Sequence, residues 1–246
     1  MKKNIIVYPA AAAVLFCIWW LLSALLHLPI VPSPVSVALC LQQIFLQSIA
    51  VHALYSLARI ALGLALAVAV GYPLGIFMGY VPRLDRMFAP FVYLLYPVPK
   101  IALLPILMLL AGVGELSKTM MIFLIIVFQV VIAVRDAVRA IPRETYFPLF
   151  SLGASSWAIF RHVLWPASLP KFITAVRVAM ATAISVLFFT ETFGAQYGLG
   201  YFIMDAWLRV NYLEMYAGIV VLSILGLLLF SFLDFLETRA CRWQYK

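Results

Sequence analysis

Charge is what this chain lacks. Asp, Glu, Lys and Arg make up 11% of its 246 residues, where about 25% is usual in a soluble domain. None of the four occurs between Lys3 and Arg59. Hydrophobic residues make up 66%, against roughly 45–50% in soluble folds. So small a volume cannot hide that much apolar surface from water. A water-soluble globule is excluded, and the bilayer is the main solvent of an integral membrane protein with several spanning helices.

The apparatus of catalysis is missing as well. His27, His52 and His162 are isolated, and no HExxH or similar metal-binding spacing occurs. There is no GxSxG to build a serine nucleophile. There is no P-loop, so the chain does not hydrolyse a nucleotide by that device. No catalytic residue, metal site or cofactor is expected. Cysteine is scarce: Cys17, Cys40 and Cys241 are widely spaced without a CxxC pair, and read as small apolar residues rather than disulfide partners.

What charge there is has a pattern. The formal net charge of +8 does not point to nucleic acid, because the basic residues gather in four clusters. These are Lys2-Lys3, Arg83 with Arg86, Arg135 through Lys171, and Arg239 through Lys246, and they alternate with loops poor in Lys and Arg. Twelve of the 17 basic residues fall in them, which is the positive-inside pattern. Six spans fit, at 8–28, 53–80, 87–111, 117–134, 171–192 and 213–236, each near the ~20 residues a bilayer requires. Both termini are then expected in the cytoplasm, with Lys118 and Arg209 in outer loops. The run from Ile5 to Leu28 exceeds a signal-peptide core and is read as a retained first span.

Within that frame, residues 35–50, with Gln42, Gln43 and Gln47 among apolar positions, read as an interfacial amphipathic helix, or as a loop extending the second span. Gly63, Ala67, Gly71, Gly75 and Gly79 recur every fourth residue and line one helix face, suited to close packing within one subunit, to a subunit interface or to a gate. Pro73 is expected to kink that helix. Pro90, Pro97, Pro99 and Pro105 are too many for a straight third span, and the carbonyls freed near Pro97 and Pro99 need partners in protein or a wet cavity. That makes this span a candidate pathway wall. Arg59, Tyr96, Lys100, Glu191 and Tyr197 are the candidate pathway residues. Arg59 and Lys100 suit an anion, and a ring of Tyr93, Tyr96, Phe193, Tyr197 and Tyr201 suits a heterocycle. Glu191 lies on the path or in a gate, or is an interfacial carboxylate within reach of the headgroups, or forms a structural pair with Arg59, which is expected at a similar depth.

The segment Leu152 to Pro170 is too broken to cross a membrane and lies between two that can. Gly153 breaks or bends it. Ala154 to Val163 can form about three turns of helix with Trp157, Phe160 and Val163 on one side, and Pro166 and Pro170 are expected to end it. Such an apolar face needs the headgroup region or a groove on a partner.

Gly153, nine intervening residues, Val163 and then Pro166 resemble the second part of the EAA loop of ABC importer permeases, the binding-protein-dependent transport family. The run LGASSWAIFRHVLWPASLP is similar to the branch importing nitrate, taurine, aliphatic sulfonates and thiamine or riboflavin precursors. So are PSPVSV at 32–37, SLARIALG at 56–63, the Pro97-Val98-Pro99-Lys100 turn through Pro105, GVGELSK at 112–118 and ETFGAQYGLGY at 191–201. The resemblance covers about residues 30 to 236. It departs where Phe147-Pro148-Leu149 stand in place of Glu-Ala-Ala, and where Trp165 replaces Leu before Pro166.

The resemblance implies an all-α polytopic membrane protein, a single permease domain over 1–246. Residues 1–50 would be an extra first span with an outer segment, 53–236 the core, and 143–170 a cytoplasmic coupling loop between the fourth and fifth of six transmembrane helices. It implies a permease of the cell inner membrane that carries a small organic anion or vitamin precursor by alternating access and is not itself an ATPase. Gly153, Ala154, Ser155, Trp157, Phe160, Val163 and Pro166 would couple it to a cytoplasmic ABC ATPase dimer. The remaining implied partners are a second copy of the permease, an extracytoplasmic substrate-binding protein and membrane lipid. An ion-gradient-driven secondary transporter is the alternative, and it predicts intramembrane acid pairs and an internal repeat that are not seen in the sequence.

Overall fold

Ser33 starts the longest helical run of the chain. Its hydroxyl accepts the Ser36 N–H at 3.1 Å, and Pro34 sits in the first turn, where a missing N–H costs nothing. In the computed structural model, which describes residues 7–244, α1 (Val7–Leu26) precedes this run. The run comprises α2 (Pro34–Ile44), a π turn (Phe45–Ile49) and α3 (Ala50–Tyr80), 47 residues in all. Residues 35–50 are therefore helical, not a loop, and they run on into α3. The π turn absorbs an extra residue without opening a loop, and the helix carries on into the span. It also continues through Pro73. The expected charge clusters Lys2-Lys3 and, at the other end, Lys246 lie outside the described residues.

Prolines do break the next span. α4 (Pro82–Leu95) and the stretch Lys100–Ala111, which contains α5 (Leu104–Ala111), are bent by 83° from one another. Pro97 and Pro99 remove two backbone donors between them and push the residues before them out of the helical region. α6 (Glu115–Arg139) follows, then α7 (Phe147–Ser151), α8 (Ser156–Ile159), α9 (Trp165–Thr192), α10 (Leu199–Leu208) and α11 (Tyr212–Ala240). No strand occurs among the described residues. The helices Pro34–Tyr80, Glu115–Arg139, Ser156–Thr192 and Tyr212–Ala240 are long and apolar enough to cross a membrane, and the bent pair makes a fifth crossing if counted as one. α1 is a shorter apolar helix, described over Ala10–Leu26.

Pro166 and Pro170 do not stop a helix, contrary to expectation. The Trp165 N–H bonds to the Phe160 carbonyl five residues back, closing a π turn (Phe160–Leu164) that joins α8 to α9. The wider turn leaves Pro166 in the first turn of α9, where its lack of an N–H is tolerated. The Ser168 hydroxyl donates to the Leu164 carbonyl at 2.7 Å, and the Thr174 hydroxyl donates to the Pro170 carbonyl at 3.0 Å.

The chain divides into two compact units, one of residues up to Ser56 with Gln196–Ile224, the other of Leu57–Ala195 with the residues from Leu225 onward. In the first, Trp19 stacks on Tyr216 at 5.7 Å and its indole N–H reaches the Pro32 carbonyl. In the second, the small-residue stripe of α3 lies directly on α6. A Cβ added to Gly75 would come within 2.8 Å of Val134 Cβ, and one on Gly79 within 2.6 Å of Val138 Cβ. Ala67 is fully buried. The stripe serves packing within the subunit, and on another face of α6 Met121 and Ile125 cluster with Val186 of α9.

Candidate functional site

α6 ends at Arg139, and the chain does not begin another long helix until Ser156. Gly153 turns the chain between α7 and α8 at φ +65°, a left-handed value that favours glycine. Its N–H bonds to the Phe150 carbonyl, and that of Ala154 to the Leu149 carbonyl. Ser155 then caps α8 by accepting the Ala158 N–H. The bend expected at Gly153 is present. Around it, Phe147, Phe150, Leu152 and Trp157 are all exposed, Leu152 at 85% and Trp157 at 66%. Trp157 stacks on Phe160 at 5.2 Å, and Phe160 leans towards Trp165. Burial against Tyr80 and its neighbours pushes the Tyr146 phenol above its ordinary value.

Val163 does not share the face of Trp157, as expected of it, and is 4% exposed. Six positions are about 1.7 turns of an α-helix, so the two side chains fall on different flanks, and Val163 turns into the fold. An apolar cavity of about 510 Å³ runs between α3 and this segment, lined by Tyr72, Phe77, Tyr80, Trp157 and Phe160 among others.

The candidate pathway residues divide into three sets. Arg59 and Glu191 are together: Nη1 donates to Glu191 Oε1 at 2.6 Å, with Arg59 2% and Glu191 0% exposed. The same guanidinium grips both oxygens of Glu115 at 2.6 Å, a bidentate pair. Lys118, also buried, donates to the Val113 and Gly114 carbonyls. Arg59 and its two carboxylates therefore tie α3, α6 and α9 together at the Glu115 end of α6, and Glu191 is paired with Arg59. Glu115 was not singled out in the sequence, although it lies inside GVGELSK.

Tyr96 and Lys100 form the second set. The Lys100 ammonium donates to the Tyr96 carbonyl at the helix break and lies 5.2 Å and 5.1 Å from the Tyr96 and Phe128 ring centres. It lines a cavity of about 380 Å³ with Gln129 of α6 and Thr182 of α9. Tyr197 is in the other unit, stacked on Tyr55 at 4.8 Å and close to His52. There His52 Nδ1 accepts the Gly198 N–H and the Ser56 hydroxyl accepts the Leu199 N–H, which fixes the glycine-rich turn. Of the other aromatics, Tyr93 bonds to Arg135, Phe193 leans on Phe189, and Tyr201 stacks on His52.

Two further ion networks went unread in the sequence. Asp85 at the start of α4 accepts from Arg135 and Arg139 of α6, and Arg177 of α9 donates to Asp234 and Glu237 of α11. Their only signal is acidic residues recurring beside the basic clusters.

Long apolar helices, a broken span bordering polar cavities and an exposed apolar loop define a multi-pass membrane permease. Residues 71–241 match the family described as binding-protein-dependent transport system inner membrane component, and the chain belongs to it. It is 33% identical over 193 residues to the taurine transport system permease protein of Escherichia coli (strain K12), covering 78% of this chain and 70% of that one. It is 28% identical to the putative aliphatic sulfonates transport permease of Bacillus subtilis (strain 168), over 94% of this chain and 85% of that one. It is also 28% identical to the formylaminopyrimidine transport permease of Halalkalibacterium halodurans, over 94% and 93% of the two chains. The fold is similar to a solved methionine ABC transporter in an inward-facing conformation, with a TM-score of 0.64 at 21% identity, covering 82% of this chain and 96% of that one. The chain is a transmembrane permease subunit of an ABC importer.

Proposed function

We propose that this permease works as a homodimer driven by a cytoplasmic ABC ATPase dimer, which grips the loop around Gly153, and that an extracytoplasmic binding protein delivers its cargo. In this reading α1 also crosses the membrane, making six spans with both termini in the cytoplasm. The observation that carries it is the loop between α6 and α9, where Phe147, Phe150, Leu152 and Trp157 stand exposed. Four large apolar side chains on one short segment ask for a protein groove.

Gly153 sets the bend, Ala154 and Ser155 lead into the helix, and Trp157 and Phe160 make the contact. Val163 and Pro166 hold the contact from behind, since both lie on the helix that runs on without interruption into the membrane. A pull on Trp157 therefore reaches α9 as a rigid displacement, and the departure Phe147-Pro148-Leu149 makes the contact greasier than a Glu-Ala-Ala sequence would. Two ATPase clefts call for two such loops, which a twofold permease dimer supplies. Closure of the ATPases would turn the path outward, and hydrolysis would reset it. Arg59 and Glu191 brace that path rather than line it, and Tyr96 and Lys100 line it. The cargo is a small solute of the kind named for the relatives, an organic anion or a vitamin precursor.

Trp157→Asp should abolish co-purification of the ATPase, a loss of at least about 30-fold, as expected when a charge is buried unpaired in an interface. Its exposed position leaves membrane insertion and melting temperature unchanged. Gly153→Asp should do the same at some cost in melting temperature, because of its positive φ. Undiminished co-purification with both variants would refute the assignment.

A further inference from the structure

Among the described residues, Arg59, Arg135 and Arg177 are matched to carboxylates, whereas Lys100 and Lys118 are not. Arg59 has Glu115 and Glu191, Arg135 has Asp85, and Arg177 has Asp234 and Glu237. Lys118 sits beside the Arg59 group and is held by two carbonyls. Lys100 makes no ion pair among the described residues. Of its three donors, Tyr96 accepts one through its carbonyl. The rings of Tyr96 and Phe128 offset part of the charge, but a ring face does not neutralise an ammonium.

Its surroundings are those of a binding station. Lys100 opens the stretch after the 83° break, and broken spans are where transporters expose backbone and bind polar cargo. Gln129 and Thr182, both at mid-helix, line the same cavity, and neither side chain has a hydrogen-bond partner among the described residues. The volume of about 380 Å³ suits a small molecule. A second cavity of about 420 Å³ shares Tyr96 and Gln129 and leads past Thr174 to Asp136 and Lys171. Thr182 is exposed on α9, near Thr174 and Ser185, whose hydroxyls donate to the Pro170 and Ala181 carbonyls.

We infer that Lys100, Gln129 and Thr182 form an anion-binding station on the translocation path, and that the cargo is a compact organic oxyanion of the sulfonate or carboxylate type. The ammonium supplies the counter-charge, and the amide and hydroxyl donate to the remaining oxygens. Arg59 does not compete for this role, being buried and already neutralised by two carboxylates. A neutral pyrimidine would leave the Lys100 charge uncompensated. This inference rests on the permease reading and names its cargo class.

The test uses the complete transporter, with its ATPase and cognate binding protein, in proteoliposomes. The probes are ethanesulfonate and cytosine, a neutral aminopyrimidine of similar size. ATP-dependent uptake of ethanesulfonate should exceed that of cytosine. Lys100→Gln should lower ethanesulfonate uptake by about 30-fold, the loss expected on truncating one partner of a buried charge pair, while Lys100→Arg keeps most of it. Thr182→Val should raise the half-saturating concentration severalfold, and every variant should retain its ATPase in the unaltered ratio. Preference for cytosine, uptake of neither probe, or full uptake by Lys100→Gln would overturn the inference and leave the permease reading standing. If Lys100→Gln fails to insert, an unchanged half-saturating concentration in Thr182→Val overturns it. Absence of the ATPase from the unaltered complex would overturn the reading beneath it as well.

Discussion

Arg59 holds three carboxylate oxygens on two other helices while almost wholly buried. Removing it leaves Glu191, which has no exposed surface, as a charge without its counter-ion, and breaking such a pair costs about 3–5 kcal/mol. Removing the Glu191 charge alone is milder, because Glu115 still neutralises the guanidinium and an amide oxygen can still accept from it. Arg59→Met should therefore lower the melting temperature of the purified permease far more than Glu191→Gln. Equal losses would contradict the network. The Arg59–Glu191 pair was open to sequence reading, since both sit at the same depth of neighbouring spans. Glu115 was not, because only the tertiary fold brings the start of α6 beneath that guanidinium. Lys100 was legible as a cation between prolines, but the cavity it shares with Gln129 and Thr182 was not.

Elements were legible where periodicity alone carried them. The small-residue stripe of α3 announces close packing, and α6 is its partner. Gly75→Leu should be strongly destabilising. Its Cβ would already stand 2.8 Å from Val134 Cβ and 2.9 Å from the Val131 carbonyl, so α3 has to lift off α6, a strain of about 1–3 kcal/mol or more. Gly114→Ala meets nothing within 4 Å and should leave the thermal melt in detergent unchanged, making it the internal control. Prolines were less reliable guides. At Pro97 and Pro99 they break the span as expected. At Pro166 they do not, because a preceding π turn leaves the proline in the first turn of α9, where a missing N–H is tolerated. Nothing in local spacing distinguishes the two cases.

For the whole molecule, the expected topology makes a direct prediction. In a cysteine-free background, a cysteine at Trp157 should react with a membrane-impermeant maleimide only in inside-out vesicles. One at Leu208, which is 69% exposed, should react only in right-side-out vesicles. Labelling of both from one side would refute the orientation drawn from the basic clusters. That orientation depends on Lys and Arg counts summed over whole loops, a property no single contact alters.

Composition and charge placement were enough to establish a multi-pass membrane protein, its approximate spans and the exceptional loop between α6 and α9. These follow from transfer free energies that add residue by residue along the chain. Which side chain meets which lay beyond that sum. The Arg59 network and the cavity uniting Lys100, Gln129 and Thr182 each join residues tens of positions apart. Such groupings depend on how the helices pack against one another, and packing is decided by shapes that meet only once the chain has folded.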